Sequence, residues 1–269
     1  MRVERIWPVG LEKVQVIPLK APPKSGPFSF VRELSSLLES NGEALSDGDV
    51  LVVSSKYLAM SEGRYVRLKD VVPLGDADSL ASEHGMNRAF VEAVLRESDF
   101  VLKGLQGFLL TIKDGFFAPN AGVDKSNIPK GCVILHPSDS MAMAARIRRE
   151  VLLSMGAKVA VVITDSRLQP LRKGTVGVSV GFSGIEAVVD DRGRADLFGN
   201  LLKVTRRAIA DNISSAVQLV MGESDEGVPV AIVRGLAHFV ADIDGYDSSV
   251  EPEECIFVRG LSSYSSATA

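Results

Sequence analysis

Three short acidic segments of the sequence could supply oxygen ligands to a cation. Asp124 lies in "FAPNAGVDKSN", Asp165 follows the apolar run "KVAVVIT", and Glu223 begins the acidic cluster of "MGESDEGVP". Hard cations such as Mg²⁺ and Mn²⁺ prefer oxygen ligands, and Mg²⁺ usually takes one or two carboxylates together with water and substrate phosphates. The three carboxylates, each in a separate predicted loop, could therefore form one ligand set.

Each segment also has a simpler structural interpretation. Asp and Asn favour turns because their side chains bond their own backbone, so "NAGVDKSN" alone predicts a turn. The segment "MGESDEGVP" alone predicts a solvated connection between a helix and a strand. "VITDS" is more indicative of a site, because Asp165 and Ser166 end an apolar strand at the sheet edge where ligands of α/β proteins collect.

Other well-known site patterns are absent from the sequence. It contains no GxxxxGK followed by Ser or Thr and no GxSxG, and the glycines of "GTVGVSVGFSG" are typical of strands and bulges. His84, His136 and His238 have no metal-ligand spacing, so we expect surface or packed histidines. Cys132 and Cys255 form no CxxC pair, which argues against a zinc site and against a disulfide framework.

The composition is that of an ordinary globular protein. The chain has 269 residues, of which 46% are hydrophobic and 24% charged, and its net charge of -4 indicates no nucleic acid or anionic membrane as a partner. No apolar run approaches the roughly 18 residues that span a bilayer, and the first ten residues lack the core of a secretion signal. We therefore expect a cytoplasmic protein.

The elements that must position the acidic residues alternate between strands and helices, which predicts an α+β (mixed α/β) fold with large mixed sheets and flanking helices. The strand candidates are 14–19, 49–55, 108–112, 132–136, 158–164, 176–182 and 228–235. Helices are expected to begin near Phe30 and to cover about 87–98, 139–155 and 204–221.

Some element ends and faces are predicted in detail. Ser138 is the expected N-cap of the third predicted helix and Gly156 its end. The apolar face of the fourth includes Ile209, Ile213 and Leu219. "KDG" at 113–115 predicts a hairpin turn.

Taken in order, the motifs resemble those of the coenzyme F420-0:L-glutamate ligases, also called gamma-glutamyl ligases. The sequence contains "GDVLVVSS", "SEGR", "NAGVDKSN", "VVITDS", "RKGTVGVSVGFSG", "DLFGN" and "LVMGESDEGVPVAIVRG" in the order and spacing of that family. The resemblance extends from about Val14 to Gly235. Several independent motifs over most of the chain make chance a poor explanation.

This resemblance implies a GTP-dependent amide ligase that uses Mg²⁺ or Mn²⁺, assisted by a monovalent cation such as K⁺. In this family GTP activates the carboxylate of the deazaflavin precursor F420-0 as an acyl phosphate, which the amino group of L-glutamate attacks; a further glutamate can follow. Such chemistry requires positioning and charge neutralisation more than a protein nucleophile. The resemblance also implies one ligase-like domain over 1–269 with two intertwined lobes, a polar tail from about 261–269, and a homodimer.

The resemblance also assigns roles to individual residues. Asp124, Asp165 and Glu223 correspond to the catalytic, metal-binding acids, and Ser166 supplies a hydroxyl ligand where threonine is usual. One cation would bridge Asp124, Asp165 and the β- and γ-phosphates, while Ser166 and Glu223 would hold a second. The nucleotide-contacting positions are Ser55, Lys56, Asn127, Met221, Gly222, Glu223, Ser224, Asp225, Glu226, Gly227 and Val228.

The sequence departs from the family pattern at three places. Residues 24–30 lack the usual acidic segment, Met60 replaces a nucleotide-contacting Lys, and 167–172 replace a "GR" and an aromatic. A lost ammonium removes a charge-assisted contact of about 1.5–3 kcal/mol unless Lys56 or Lys24 substitutes for it. On this interpretation Met60→Lys would tighten nucleotide binding.

Three hypotheses follow from the pattern and its departures. The chain is an F420-0 ligase, a divergent paralogue that joins a different acid or amine, or a non-catalytic protein that binds nucleotide or deazaflavin. Intact acids at 124, 165 and 223 count against the third, because clustered carboxylates are costly to keep without a use.

Overall fold

The computed structural model describes residues 13–24 and 26–262, and its fold is α+β, as predicted. The strands are β1 (Gln15–Leu19), β2 (Val50–Ser54), β3 (Tyr65–Arg67), β4 (Phe100–Leu105), β5 (Phe108–Lys113), β6 (Phe116–Pro119), β7 (Cys132–Ile134), β8 (Ala160–Leu168), β9 (Thr175–Ser183), β10 (Val188–Asp190), β11 (Arg206–Ala208) and β12 (Val230–Arg234). The helices are α1 (Phe30–Ser40), α2 (Ser55–Ser61), α3 (Gly75–His84), α4 (Arg88–Glu97), α5 (Ser140–Met155), α6 (Ile209–Met221) and α7 (Ile256–Ser262).

The chain divides into two compact units. The first unit comprises the described residues up to Arg67 together with Asp124–Gly245, and the second comprises Leu68–Val123 together with the described residues from Tyr246 onward. The predicted polar tail overlaps the end of α7, and residues 263–269 lie outside the described part of the chain. Cys132 and Cys255 are both free, as expected from their spacing.

A five-stranded sheet in the order β1-β12-β2-β8-β9 forms the centre of the first unit. Of its strand pairs, β2 and β8 run parallel and the others antiparallel. Alternate side chains of these strands enter two hydrophobic cores, because successive residues of a strand point to opposite faces. Leu51 and Ile163 belong to one core, and Val52 and Val162 to the other. β2, the first part of β8 and β12 are mostly apolar because both of their faces are covered.

Helices cover both faces of this sheet. The first core contains residues of α1, α2 and α5, and the second contains residues of α6. Two glycines of β9 allow the helices to approach closely: a Cβ on Gly181 would lie 2.5 Å from the Ser140 carbonyl oxygen, and one on Gly177 would collide with that of Ser214. The prediction that these are strand glycines is confirmed, and close backbone packing is the reason for their type.

The second unit contains a three-stranded antiparallel sheet, β4-β5-β6, and the helices α3, α4 and α7. The predicted turn at "KDG" joins β5 to β6, with Asp114 and Gly115 both at positive φ, as a tight hairpin turn requires. Asn87 caps α4 by accepting a hydrogen bond from the Phe90 N–H at 3.0 Å. Phe90, Val91 and Val94 of the predicted apolar face are buried.

Several predicted ends and faces differ from the structure. Asp139, rather than Ser138, caps α5 by accepting from the Ala142 N–H at 2.8 Å, because the Ser138 hydroxyl donates to Glu62 instead. Gly156 ends α5 in the left-handed conformation, as predicted. Helix α6 begins later than expected because β11 occupies 206–208, and Leu219 is 87% exposed while Val217 is buried.

Met60 does not lie where a phosphate-contacting lysine would be useful. Its side chain is 7% exposed and belongs to the first hydrophobic core. A lysine there would bury an ammonium among apolar side chains, which is costly. The burial of Met60 therefore counts against the expectation that Met60→Lys would tighten nucleotide binding. Lys24 and Lys56 are both ion-paired, Lys24 with Glu33 at 2.7 Å and Lys56 with Asp124 at 2.5 Å. Of the two partners, only Asp124 is a candidate site residue, so Lys56 is the substitute cation to consider.

No helix among the described residues combines the length and the apolar character that a membrane span needs.

Candidate functional site

Four segments of the first unit meet in one hydrogen-bonded network. They are the start of α2, the loop at 124–127, the outer part of β8, and the loop at 222–227. All the candidate carboxylates of the sequence lie in these segments. Single hydrogen bonds of this network join residues up to 110 positions apart in the chain.

Asp124 is held by its backbone and by two side chains. Its N–H donates to the Ile134 carbonyl at 3.0 Å and its carbonyl accepts from the Ile134 N–H at 2.9 Å, which fixes the loop against β7. Lys56 Nζ lies 2.5 Å from Asp124 Oδ2, and the Ser126 hydroxyl donates to the same oxygen at 2.7 Å. Burial would raise the pKa of Asp124, but Lys56 and the Ser126 donors hold it below its ordinary value.

Asp165 lies just beyond the end of the parallel pair β2–β8, whose last register pair is Ser54 with Thr164. Its Oδ1 accepts a hydrogen bond from the Ser55 hydroxyl at 3.1 Å. Its Oδ2 is ion-paired with Arg167 and lies 3.4 Å from His136 Nε2. Burial opposes ionisation, yet the charge of Arg167 and the contact with His136 hold the pKa of Asp165 well below its usual range.

Asp165 and Ser166 do not end their strand, in contrast to the sequence prediction. β8 continues to Leu168, paired with β9 as far as Thr175. The predicted position at the sheet edge is correct only relative to the shorter neighbour β2. A bulge between Ile163 and Thr164 shifts the register there.

Glu223 lies in the loop after α6 and faces β8. Its Oε1 accepts from the Ser166 hydroxyl at 2.5 Å and from the Thr175 hydroxyl at 3.1 Å, and the Gln218 amide donates to the same oxygen. The loop also contacts Asn127, whose amide donates to the Ser224 carbonyl at 2.6 Å. Asn127 has a φ of 54°, which is in the left-handed region that Asn adopts more readily than most other residues.

The rest of the predicted nucleotide-contacting loop is mostly exposed. Met221 ends α6, Gly222 has a positive φ, and the side chains from Glu223 to Glu226 are exposed. The Glu226 carboxylate accepts from the Ser224 N–H at 2.8 Å, and backbone hydrogen bonds of this kind lower its pKa. Val228 is buried and leads into β12.

Asp124, Asp165 and Glu223 do not together form a three-ligand metal group. Among the residues that the structure describes, no three His, Cys, Asp or Glu side chains are grouped closely enough to hold a metal ion. The carboxylates instead pair with hydroxyls: Asp124 with Ser126, Asp165 with Ser55, and Glu223 with Ser166. The carboxylate and hydroxyl oxygens are all hard ligand atoms, so they suit Mg²⁺ or Mn²⁺.

Two buried residues of the network were missed as functional candidates. His136 was interpreted as a surface or packed histidine, and Arg167 was noted only as part of a departure from the family pattern. Arg167 is two residues from Asp165 in the same strand, so their side chains share a face. His136 lies two residues beyond the end of β7. The two-residue spacing of Asp165 and Arg167 and the position of His136 after a strand were the sequence features that could have identified these two residues.

The sequence is similar to several coenzyme F420:L-glutamate ligases. Residues 28–235 match the family model described as F420-0:Gamma-glutamyl ligase. The coenzyme F420:L-glutamate ligase of Methanocaldococcus jannaschii is 38% identical over 246 residues, 91% of this chain and 97% of that protein. That of Methanothermobacter thermautotrophicus is 36% identical over 228 residues, 84% of this chain and 90% of that protein. That of Archaeoglobus fulgidus is 38% identical over 226 residues, 83% of this chain and 88% of that protein.

Proposed function

Because the chain belongs to the F420-0:gamma-glutamyl ligase family, we propose that it joins L-glutamate to coenzyme F420-0 through an amide bond, with GTP as co-substrate. The observation that carries the proposal is the single network formed by Ser55 with Asp165, Lys56 with Asp124, Asn127 with Ser224, and Ser166 with Glu223. Four separate segments have no structural need to share one polar cluster. Binding a nucleotide together with a carboxylic acid substrate would require residues from all four segments.

The proposed reaction has two steps. The γ-phosphate of GTP passes to a carboxylate oxygen of F420-0, which releases GDP and forms an acyl phosphate. The amino nitrogen of L-glutamate then attacks the acyl carbon, the bond from that carbon to the phosphate oxygen breaks, and inorganic phosphate and a proton leave. A further glutamate can be added at the γ-carboxylate in the same way. Neither step needs a protein nucleophile, since positioning and charge stabilisation supply most of the catalysis.

The residues of the network divide this work. Lys56 and Asn127 would contact the nucleotide, and the loop from Met221 to Val228 would line its site. Asp124 and Asp165 would hold one divalent cation, and Ser166 and Glu223 a second. Bound Mg²⁺ or Mn²⁺, assisted by K⁺, would neutralise the charge on the transferred phosphoryl group.

The proposal is tested by incubating the protein with GTP, Mn²⁺, L-glutamate and F420-0. We expect glutamylated F420 by mass spectrometry and one GDP for each amide bond. GDP that depends on added acid and amine, without glutamylated F420, would indicate a paralogue with another substrate. Tight nucleotide binding with no GDP under any substrate combination would indicate a non-catalytic binding protein.

Replacement of Lys56 tests the nucleotide contact. Lys56→Met removes the ammonium that now pairs with Asp124, and we expect GTP to bind about 10- to 150-fold more weakly, the equivalent of one charge-assisted contact of about 1.5–3 kcal/mol. Isothermal titration calorimetry measures the dissociation constant. Lys158→Met is the matched control, because Lys158 is exposed and precedes β8 at its opposite end. An unchanged constant for Lys56→Met would remove Lys56 from the nucleotide site.

A homodimer is also proposed. Leu197, Phe198 and Val204, in the connection between β10 and β11, expose large apolar side chains that a second copy could cover. Sedimentation equilibrium at micromolar concentration should give twice the mass of 28.8 kDa. A monomer mass across the concentration range would contradict this assembly.

A further inference from the structure

His136 and Arg167 form a buried pair behind the carboxylate of Asp165. His136 is 5% exposed and Arg167 is 8% exposed. Arg167 is ion-paired with Asp165 Oδ2, and its Nη2 lies 3.5 Å from His136 Nε2. The His136 main-chain carbonyl accepts from Arg64 Nε at 2.6 Å, so the backbone that carries the ring is also fixed.

This pair is costly for the folded protein. His136 Nδ1 and Arg167 Nε are buried and have no hydrogen-bond partner within the described chain. Buried polar groups without partners destabilise the folded state, and apolar residues of similar volume in place of a buried ion pair are often neutral or stabilising. The stability of the fold therefore gives no reason for an arginine and a histidine at this place.

The geometry divides the two oxygens of Asp165 between two environments. Oδ2 faces the buried pair, whereas Oδ1 accepts a hydrogen bond from the Ser55 hydroxyl. The Ser166 N–H also donates to this carboxylate. Oδ1 therefore lies on the side of Ser55, which precedes Lys56, the partner of Asp124.

We propose that His136 and Arg167 are positioning residues, which fix Asp165 Oδ2 and present Oδ1 to a divalent cation. This inference rests on the proposed function, because it assumes that Asp165 is a metal ligand there. Hydrogen-bonded partners of ligating carboxylates orient the ligand, and their loss typically costs about 10- to 100-fold in metal affinity.

The pairing of Asp124 with Lys56 is of a different kind. The Lys56 and Asp124 side chains are 25% and 42% exposed, so this ion pair lies at the surface, where the lysine can move away when a cation or phosphate arrives. The Arg167 side chain is 10% exposed and lies in the buried pair. Arg167 would therefore stay in place as a support, whereas Lys56 would exchange partners.

The test measures Mn²⁺ binding by electron paramagnetic resonance, with the metal alone and with GTP present. Arg167→Met removes the support, and we expect Mn²⁺ to bind about 10- to 100-fold more weakly. Arg167→Lys keeps the charge and one donor, so it should recover part of that loss. His136→Leu should also weaken binding, and His136→Gln, which retains a polar group near the position of Nε2, should weaken it less. Arg149→Met is the control, because Arg149 is exposed on α5.

The direction in which Mn²⁺ affinity changes shows whether Arg167 orients Asp165 for the cation or competes with the cation for Asp165. If Arg167 merely occupied the place of the cation, Arg167→Met would bind Mn²⁺ more tightly, and that result would overturn the proposal. Unchanged affinity in folded Arg167→Met and His136→Leu, verified by thermal unfolding, would also overturn it. A wild-type protein without saturable Mn²⁺ binding would instead contradict the metal dependence of the proposed function, and this inference with it.

Discussion

Asp165→Asn is expected to lower the rate of the proposed GTP-dependent glutamate ligation by about 100- to 1000-fold, the range for losing one preorganised electrostatic contact in an active site. Asparagine keeps the shape of the side chain and the acceptor for Ser55 but removes the negative charge beside Arg167. The rate is measured as GDP release coupled to amide formation. Asp76→Asn, an exposed position in the first turn of α3, serves as the control.

The choice of asparagine matters because Asp165→Ala would test the fold as well as the chemistry. Both variants leave the buried guanidinium of Arg167 without its anion, and breaking a buried pair typically costs about 3–5 kcal/mol. Asparagine still offers a side-chain oxygen that accepts a hydrogen bond, whereas alanine offers none. A melting curve for each variant separates the two effects. Full activity in Asp165→Asn with an unchanged melting temperature would remove Asp165 from the catalytic site.

Gly181→Ala is expected to destabilise the protein by about 1–3 kcal/mol, as overpacking of a filled interior does. The new Cβ would lie 2.5 Å from the Ser140 carbonyl oxygen and 2.6 Å from its carbon, and these backbone atoms begin α5. The backbone of Gly181 has no positive φ, so the effect arises from the collision alone. Thermal unfolding should show a lower midpoint.

Gly75→Ala provides the matched comparison for this variant. A Cβ at Gly75 meets no atom within 4 Å, and the residue lies in the first turn of α3, where alanine is the better helix former. Its midpoint should equal or exceed that of the wild type. Equal midpoints for Gly181→Ala and the wild type would mean that α5 can move away from β9 at little cost.

The central sheet was predictable because its strands have a strong signal. β2, β8 and β12 are buried on both faces, and such strands are continuous apolar runs in the sequence. The acidic segments were also found, since Asp165 follows an apolar run and Asp124 and Glu223 lie in short segments rich in polar residues. Their assembly into one network depended on which strands are adjacent, and residue types alone do not give strand order.

Other elements have weaker sequence signals. α2 is seven residues long and begins directly after β2, so it is too short to show a clear helical period. β10 and β11 have three residues each, too few for a period to appear. Met60 was interpreted through its motif neighbours rather than through the face of the helix on which it lies. His136 was interpreted as a packed side chain, and burial alone does not distinguish that state from a place in a network.

The parallel pairing of β2 with β8 has a consequence for how the site forms. Ser55 follows β2 and Asp165 lies in β8, 110 residues away, so their hydrogen bond exists only after these distant strands have met. A slip of one residue would turn Asp165 to the opposite face of the sheet. Loop closure over so long a separation is slow. During refolding, the proposed nucleotide binding should therefore appear late, together with the amide-exchange protection of the central strands rather than with that of the helices.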